Sequence, residues 1–138
     1  MKKVVICASA VFYQEAQKWK TKLEDMGYEV IRTIQSIGEN DINQYQTTHQ
    51  EHYTKMAECD IVFVLNLEKR DIPGYVGSSV FAEIAFAIGL NIVFNKNIQI
   101  FYLNPIPDGL PYSDELTKWQ KLGWIKQFQS VATSELVR

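Results

Sequence analysis

DIVFVLN, residues 60–66, is apolar at consecutive positions rather than alternate ones. A strand that buries one face alternates apolar and polar residues, so an unbroken apolar run implies cover on both faces, as in a parallel sheet. KVVICA (residues 3 to 8) and IQIFYLN (98 to 104) have the same character, and YEVIRTI (28 to 34) adds a fourth strand. Helical patterns fall between them. Phe12, Ala16, Trp19 and Leu23 form one stripe, with Gly27 placed as the stop. Asp41 to Glu58 is more polar, with Ile42, Tyr45, His49, Tyr53 and Met56 at helical spacing, and Ser79 to Asn91 is the strongest helical pattern. Alternation of strand and helix predicts right-handed βαβ crossovers. The fold class is therefore α/β: a three-layer sandwich around a flavodoxin- or Rossmann-like parallel sheet of four to five strands. Past a turn set by Pro105, Pro107, Gly109 and Pro111, residues 113–121 read as helical, and the tail beyond them reads as a fifth strand or another helix.

The 138 residues suit one domain, with roughly two-thirds of the unfolded surface buried around a single core. A hydrophobic fraction of 46% and a charged fraction of 22% are those of an ordinary globular chain. Net charge is -2 and the basic residues are scattered, so nucleic acid is not an expected partner. The start, MKKVVICASA, reads as a strand rather than a leader, and the apolar run from Val80 to Phe94 is interrupted by Glu83 and Asn91. A cytoplasmic protein that does not enter the membrane is expected. Cys7 and Cys59 each sit beside a strand and read as reduced core residues, held about a strand length apart, roughly 17–20 Å.

Strand order 2-1-3-4-5, the commonest for so small a sheet, puts the loops after strands 1 and 3 beside the topological switch point, where ligands bind. These loops are SAVFY (9 to 13) and LEKRDIPGYVGSS (67 to 79). Neither the dinucleotide GxGxxG nor the P-loop pattern occurs. His49 and His52, with Glu51 between them, do not match a recognised zinc pattern, and no metal or redox cofactor is expected.

Glu83 stands out. Val80, Phe81, Ala82, Ile84 to Ile88 and Leu90 make its helix apolar on nearly every side, which predicts burial all round. Burying an unpaired carboxylate costs several kcal/mol. A capping box places Glu at the third helical position, and with Ser79 as cap Glu83 falls at the fourth. The helix dipole offers about 0.3–1 kcal/mol, less than the burial cost. A functional Glu83 is the better account. Gly74, Gly77, Ser78 and Ser79 before it supply N–H groups and hydroxyls at a helix N-terminus, suited to a phosphate, carboxylate or sugar hydroxyl, although Gly and Ser also cluster in any turn.

At CDIVFVLN (59 to 66), GYVGSSVFAEIAFAIG (74 to 89) and IQIFYLNPIP (98 to 107) the chain resembles the nucleoside 2-deoxyribosyltransferase-like superfamily, which includes deoxyribonucleoside 5'-monophosphate N-glycosidases. The resemblance implies that Glu83 is a nucleophile, placed in the first turn of its helix, that attacks the anomeric carbon and releases the base. It implies that Phe12 stacks on the base, although Phe12 reads equally as a core residue of helix 1. Gly77, with Ser78 beside it, stands where the family binds the sugar's 5' end through a Ser or an Asp. His52 stands where the transferases carry an Asp; it reads either as a partner of base or sugar or as a surface histidine. Family members are oligomers closed by a neighbour's residue, for which Ser113 is the nearest match. Ser9, Asn66, Tyr75 and Ser79 complete the expected substrate-binding set. A small-molecule nucleoside or nucleotide is the expected ligand, and a homodimer or dimer of dimers the expected assembly, since a helix apolar on all sides needs more cover than one sheet face. Two rival readings remain: a nucleotide-binding module without catalysis, and an assembly subunit whose apolar helix serves an interface.

Overall fold

The computed structural model describes residues 1–35 and 41–129; the remainder of the C-terminal tail lies outside the described residues. Its elements are β1 (Lys3–Cys7), a 3-10 turn (Ala10–Phe12), α1 (Tyr13–Asp25), β2 (Glu29–Arg32), α2 (Ile42–Glu58), β3 (Ile61–Val64), α3 (Ser78–Phe94), β4 (Gln99–Tyr102), α4 (Ser113–Lys121) and β5 (Lys126–Gln127). All strand pairs are parallel, in the order β2-β1-β3-β4-β5. The α/β class and the strand order are those expected from the sequence. The tail supplies a two-residue fifth strand, with Lys126 opposite Phe101 and Gln127 opposite Tyr102.

The pleat sorts side chains between two cores. Val4 and Ile6 of β1 join Ala16 and Leu23 of α1 on one face, whereas Val5 and Cys7 join Met56 of α2, Ile84 and Ala87 of α3 and Leu116 of α4 on the other. Gly27, at φ 95°, ends α1: its own N–H donates to the Glu24 carbonyl and the Tyr28 N–H to that of Leu23, which satisfies the orphan carbonyls of the last turn. Asp41 caps α2, its carboxylate accepting from the Gln44 N–H at 2.9 Å.

Two expectations for α3 are corrected. It runs to Phe94 rather than stopping at Asn91, because the Asn91 amide bonds both the N–H and the carbonyl of Ile98, each at 2.9 Å, and the left-handed terminator is Asn95. Nor is α3 buried all round. Phe81 stacks on Tyr112 and Trp119, and Phe86 on Tyr53, so α2 and α4 of the same chain cover its flanks. Ile92, Val93 and Phe94 are exposed. Among the described residues no helix is long and apolar enough to cross a membrane. Cys7 and Cys59 are both buried and free.

Asn66 was expected to bind substrate, but it fastens the strand ends. Its Oδ1 accepts from the N–H groups of Leu103 and Asn104, each at 2.9 Å, and its Nδ2 donates to the carbonyls of Asn104 and Gly74, at 2.8 and 3.3 Å. All four bonds are to backbone, in a place that is 1% exposed, so no polar atom of the amide is left for a ligand. Gly74 itself, at φ 70°, has room for no side chain, because a Cβ there would collide with the Pro105 carbonyl. Asn66→Ala leaves several buried backbone groups unsatisfied and is expected to lose roughly 2–4 kcal/mol of stability in urea unfolding. A loss below about 1 kcal/mol would show that the two loops hold together without it.

Candidate functional site

Cys7 is the last residue of β1, and the pleat turns it toward the layer of α2, α3 and α4. From that layer His52, in the third turn of α2, and Glu83, in the second turn of α3, reach the same point. His52 Nε2 lies 3.4 Å from Cys7 Sγ and 3.6 Å from Glu83 Oε1. All three residues are buried. The nearby backbone is fixed by pairing of Cys7 with Val64 and by the Leu65 N–H donating to the Cys7 carbonyl.

Gly77, rather than Ser79, is the cap of α3, its carbonyl accepting from the Phe81 N–H at 2.9 Å. Glu83 is therefore the sixth helical residue, not a first-turn residue. A capping-box role is further from reach, and the dipole fades beyond the first turn. Burial accordingly dominates: it raises the Glu83 carboxyl to about 7, against an opposing hydrogen bond from the Cys7 thiol. Burial, aided by the charges of Arg32 and His49, lowers His52 to about 4. Burial and then the Glu83 charge push the Cys7 thiol well above its ordinary value. The close approach of His52 and Glu83 is thus not an ion pair between pH 4 and 7; it is a neutral imidazole beside a carboxylic acid.

Above the pair opens a cleft of about 370 Å3 at the carboxyl ends of the strands. Of the residues expected there, Ser9, His52, Tyr75, Gly77, Ser78, Ser79 and Glu83 line it. Phe12 does not. It lies in the core beneath α1 with Val4, Ile6 and Ala16, so the amphipathic stripe, not a ligand, accounts for it. Ser113 is also outside the cleft of its own chain: its hydroxyl donates to the Pro107 carbonyl at 2.7 Å and accepts from the Leu110 N–H at 2.9 Å, holding the turn before α4. Asn66 is spent on the backbone bonds at the strand ends and takes no part in the cleft.

Several lining residues escaped the sequence reading. Tyr45, Thr48 and His49 of α2 form one wall, with the Tyr45 and His49 rings stacked at 3.8 Å. The signal was present, since Tyr45, His49 and His52 recur at helical spacing on one face. Lys69 brings an ammonium to the opposite wall, donating to Ser9 Oγ at 3.1 Å and standing 5.2 Å from the centre of the Tyr75 ring. Nothing in its sequence context marks it out. Cys7 was hidden because a thiol inside an apolar run reads as core.

The wall chemistry is that of a site for a small polar ligand with an aromatic part: stacked rings on α2, hydroxyls and N–H groups at the start of α3, one cation, and a carboxyl on the floor. Neither a protein-family model nor a curated protein matches the sequence. Among solved structures, the chain is similar to 2-desoxiribosyltransferase from Leishmania mexicana, at a TM-score of 0.50 and 14% identity, over 78% of this chain and 68% of that one. At that identity the likeness is one of fold alone.

Proposed function

We propose that the chain cleaves or transfers at the N-glycosidic bond of a nucleoside or nucleotide, 2'-deoxy or not, with Glu83 as nucleophile. The observation that carries this reading is a buried carboxyl on the floor of a nucleoside-sized cleft at the strands' carboxyl ends. The fold shared with a deoxyribosyltransferase supports it. The Glu83 carboxylate attacks the anomeric carbon, the bond to the base nitrogen breaks, and the electron pair leaves with the base. Water then releases the sugar in a hydrolase, or a second base accepts it in a transferase. Tyr45 and His49 form the wall against which the base stacks, in place of Phe12. Ser78, Ser79 and Lys69 face the sugar's 5' end.

One observation favours a second reading, a nucleotide-binding or sensing module without catalysis. Near pH 7 much of Glu83 is protonated and unable to attack, while His52, neutral above about 4, is not the imidazolium that would serve as a strong proton donor to the leaving base. Incubation with a panel of deoxynucleosides and their monophosphates separates the two readings by the appearance of free base. On the enzyme reading, kcat/KM for base release in chelator-treated protein rises between pH 6 and 8 with a midpoint near the Glu83 value of about 7. Glu83→Gln lowers turnover by several orders of magnitude, on the order of 10³-fold or more, while ligand affinity changes by less than about tenfold. Binding without cleavage by parent and variant alike would establish the module instead.

Stability gives an independent reading of the same carboxyl. A carboxyl raised in the fold stabilises it fully below the ordinary carboxylate range, and that contribution is lost as pH rises through about 7. Gln loses nothing over this window. Relative to the parent, Glu83→Gln should therefore be near neutral at pH 5 and more stable by about 2–3 kcal/mol at pH 8.5 in denaturant unfolding. A pH-independent difference between the two would show that Glu83 titrates at its ordinary value.

The exposed Ile92, Val93 and Phe94 at the end of α3 are suited to cover by a second copy, in the homodimer or dimer of dimers that the resemblance implies. Sedimentation at micromolar concentration should show a dimer or tetramer that Phe94→Glu weakens by at least about tenfold, the effect of a charge buried in an apolar contact. A monomeric parent would remove the assembly.

A further inference from the structure

We propose that Cys7, His52 and Glu83 form a binding site for a thiophilic divalent cation of the zinc type, with the fourth position turned to the cleft. The inference stands on the arrangement of donor atoms and is independent of the glycosidic reading.

The three donors are a thiol sulfur, an imidazole nitrogen and a carboxylate oxygen, and all lie within 4.8 Å of one another. Tetrahedral zinc, with bonds of about 2.3 Å to sulfur and 2.0–2.2 Å to nitrogen and oxygen, separates sulfur from nitrogen by roughly 3.6 Å and nitrogen from oxygen by roughly 3.4 Å. The separations in the fold are 3.4 and 3.6 Å. Those two edges are already within about 0.2 Å of a coordination shell, and the third, from sulfur to the carboxylate oxygen, lies within 4.8 Å, so closing on an ion draws the Glu83 and Cys7 side chains together while the elements stay in place. Each donor comes from a different rigid element, β1, α2 or α3, which fixes the spacing before an ion arrives.

Charge and softness select the ion. A thiolate and a carboxylate carry two negative charges, which a divalent cation cancels, so the filled site is neutral in a place where an unpaired charge is costly. A thiolate favours zinc-like ions over magnesium or calcium, which prefer all-oxygen shells. Binding expels the thiol proton of Cys7 and whatever proton Glu83 carries, and the cation replaces both. His52 and Glu83 line the cleft while Cys7 lies beneath them, so the ion would meet the cleft on one side only. Water or a ligand takes that position.

The ligands are far apart in sequence, and no short zinc pattern could have announced them. If Glu83 is the nucleophile proposed above, a bound ion occupies the carboxylate that must attack, and zinc inhibits base release. That consequence rests on the glycosidic reading, whereas binding does not.

The test uses the full chain, freed of metal by chelation and titrated with cobalt(II). One cobalt per chain should bind and give intense visible bands of a tetrahedral ion together with a near-ultraviolet thiolate-to-cobalt band, both bleached by one equivalent of zinc. Cys7→Ser should abolish the thiolate band, and Cys59→Ser should keep it. Glu83→Gln should lower zinc affinity at least about tenfold, measured by competition with a chromophoric chelator; this arm decides the matter should Cys7→Ser fail to fold by circular dichroism. Absence of a thiolate band in the parent, its survival in folded Cys7→Ser, or unchanged zinc affinity in Glu83→Gln would overturn the proposal. Base release without a cobalt band would leave the glycosidic reading standing alone, and a cobalt band without base release on any substrate would leave the metal site alone.

Discussion

Glu83 and His52 face each other at 3.6 Å without either being held as an ion, and the character of the cleft depends on that balance. Two opposite charges at this distance attract by about 5 kcal/mol at an effective dielectric of 20. Removing each from water costs several kcal/mol, which offsets that attraction, and the neutral pair prevails between about pH 4 and 7. The carboxyl, near 7, is the group nearer to a change of charge. Anything that enters the cleft and favours one form, by donating to the carboxylate or by excluding water further, decides which is present. A floor of this kind has its protonation state set by its ligand.

The fold brings the three groups together through registers, and their mutual hydrogen bonds follow from that placement. In β1 a shift of one residue would turn Cys7 to the α1 side, because successive side chains point to opposite faces. In α2 only His52 and Met56 are fully buried, so the helix is positioned by one apolar anchor and one polar one, a turn apart. In α3 Glu83 sits between the buried pair Val80 and Ile84, and the helix cannot rotate it outward without exposing both. The carboxyl is thus retained by the apolar residues around it, which accounts for a polar group tolerated in an otherwise apolar segment.

Legibility in the sequence obeys the same logic. β1, β3 and β4 could be read because cover on two faces leaves a continuous apolar run. β5 could be offered only as one of two alternatives for the tail, because two residues, Lys and Gln, carry no pattern and become a strand only by pairing with Phe101 and Tyr102. The cap of α3 was misplaced by two residues: a serine is the commoner cap, but here Gly77 holds the extended conformation and both serines enter the helix. Phe12 was read equally as a stacking residue and as core, and it is core; Asn66 was read for ligand chemistry and serves the backbone instead. Glu83 was legible because its cost was visible from neighbours in sequence. Its partnership with Cys7 was not, since nothing local distinguishes a thiol that packs from one that meets a carboxyl.

The seam between α2 and α3 then bears on the charge of the pair. His52 rides on α2 and Glu83 on α3, and one residue beyond His52 the Tyr53 ring stacks on Phe86, three residues beyond Glu83, at 5.0 Å. Burial is the main cause of both perturbed groups, and it depends on those helices staying in contact. Widening the seam would admit water to the pair, lower the Glu83 carboxyl toward its ordinary range and raise His52 toward its own. Near neutral pH the separation of two helices is thereby converted into charge on a carboxyl, and the aromatic stack that sets this separation lies outside the cleft.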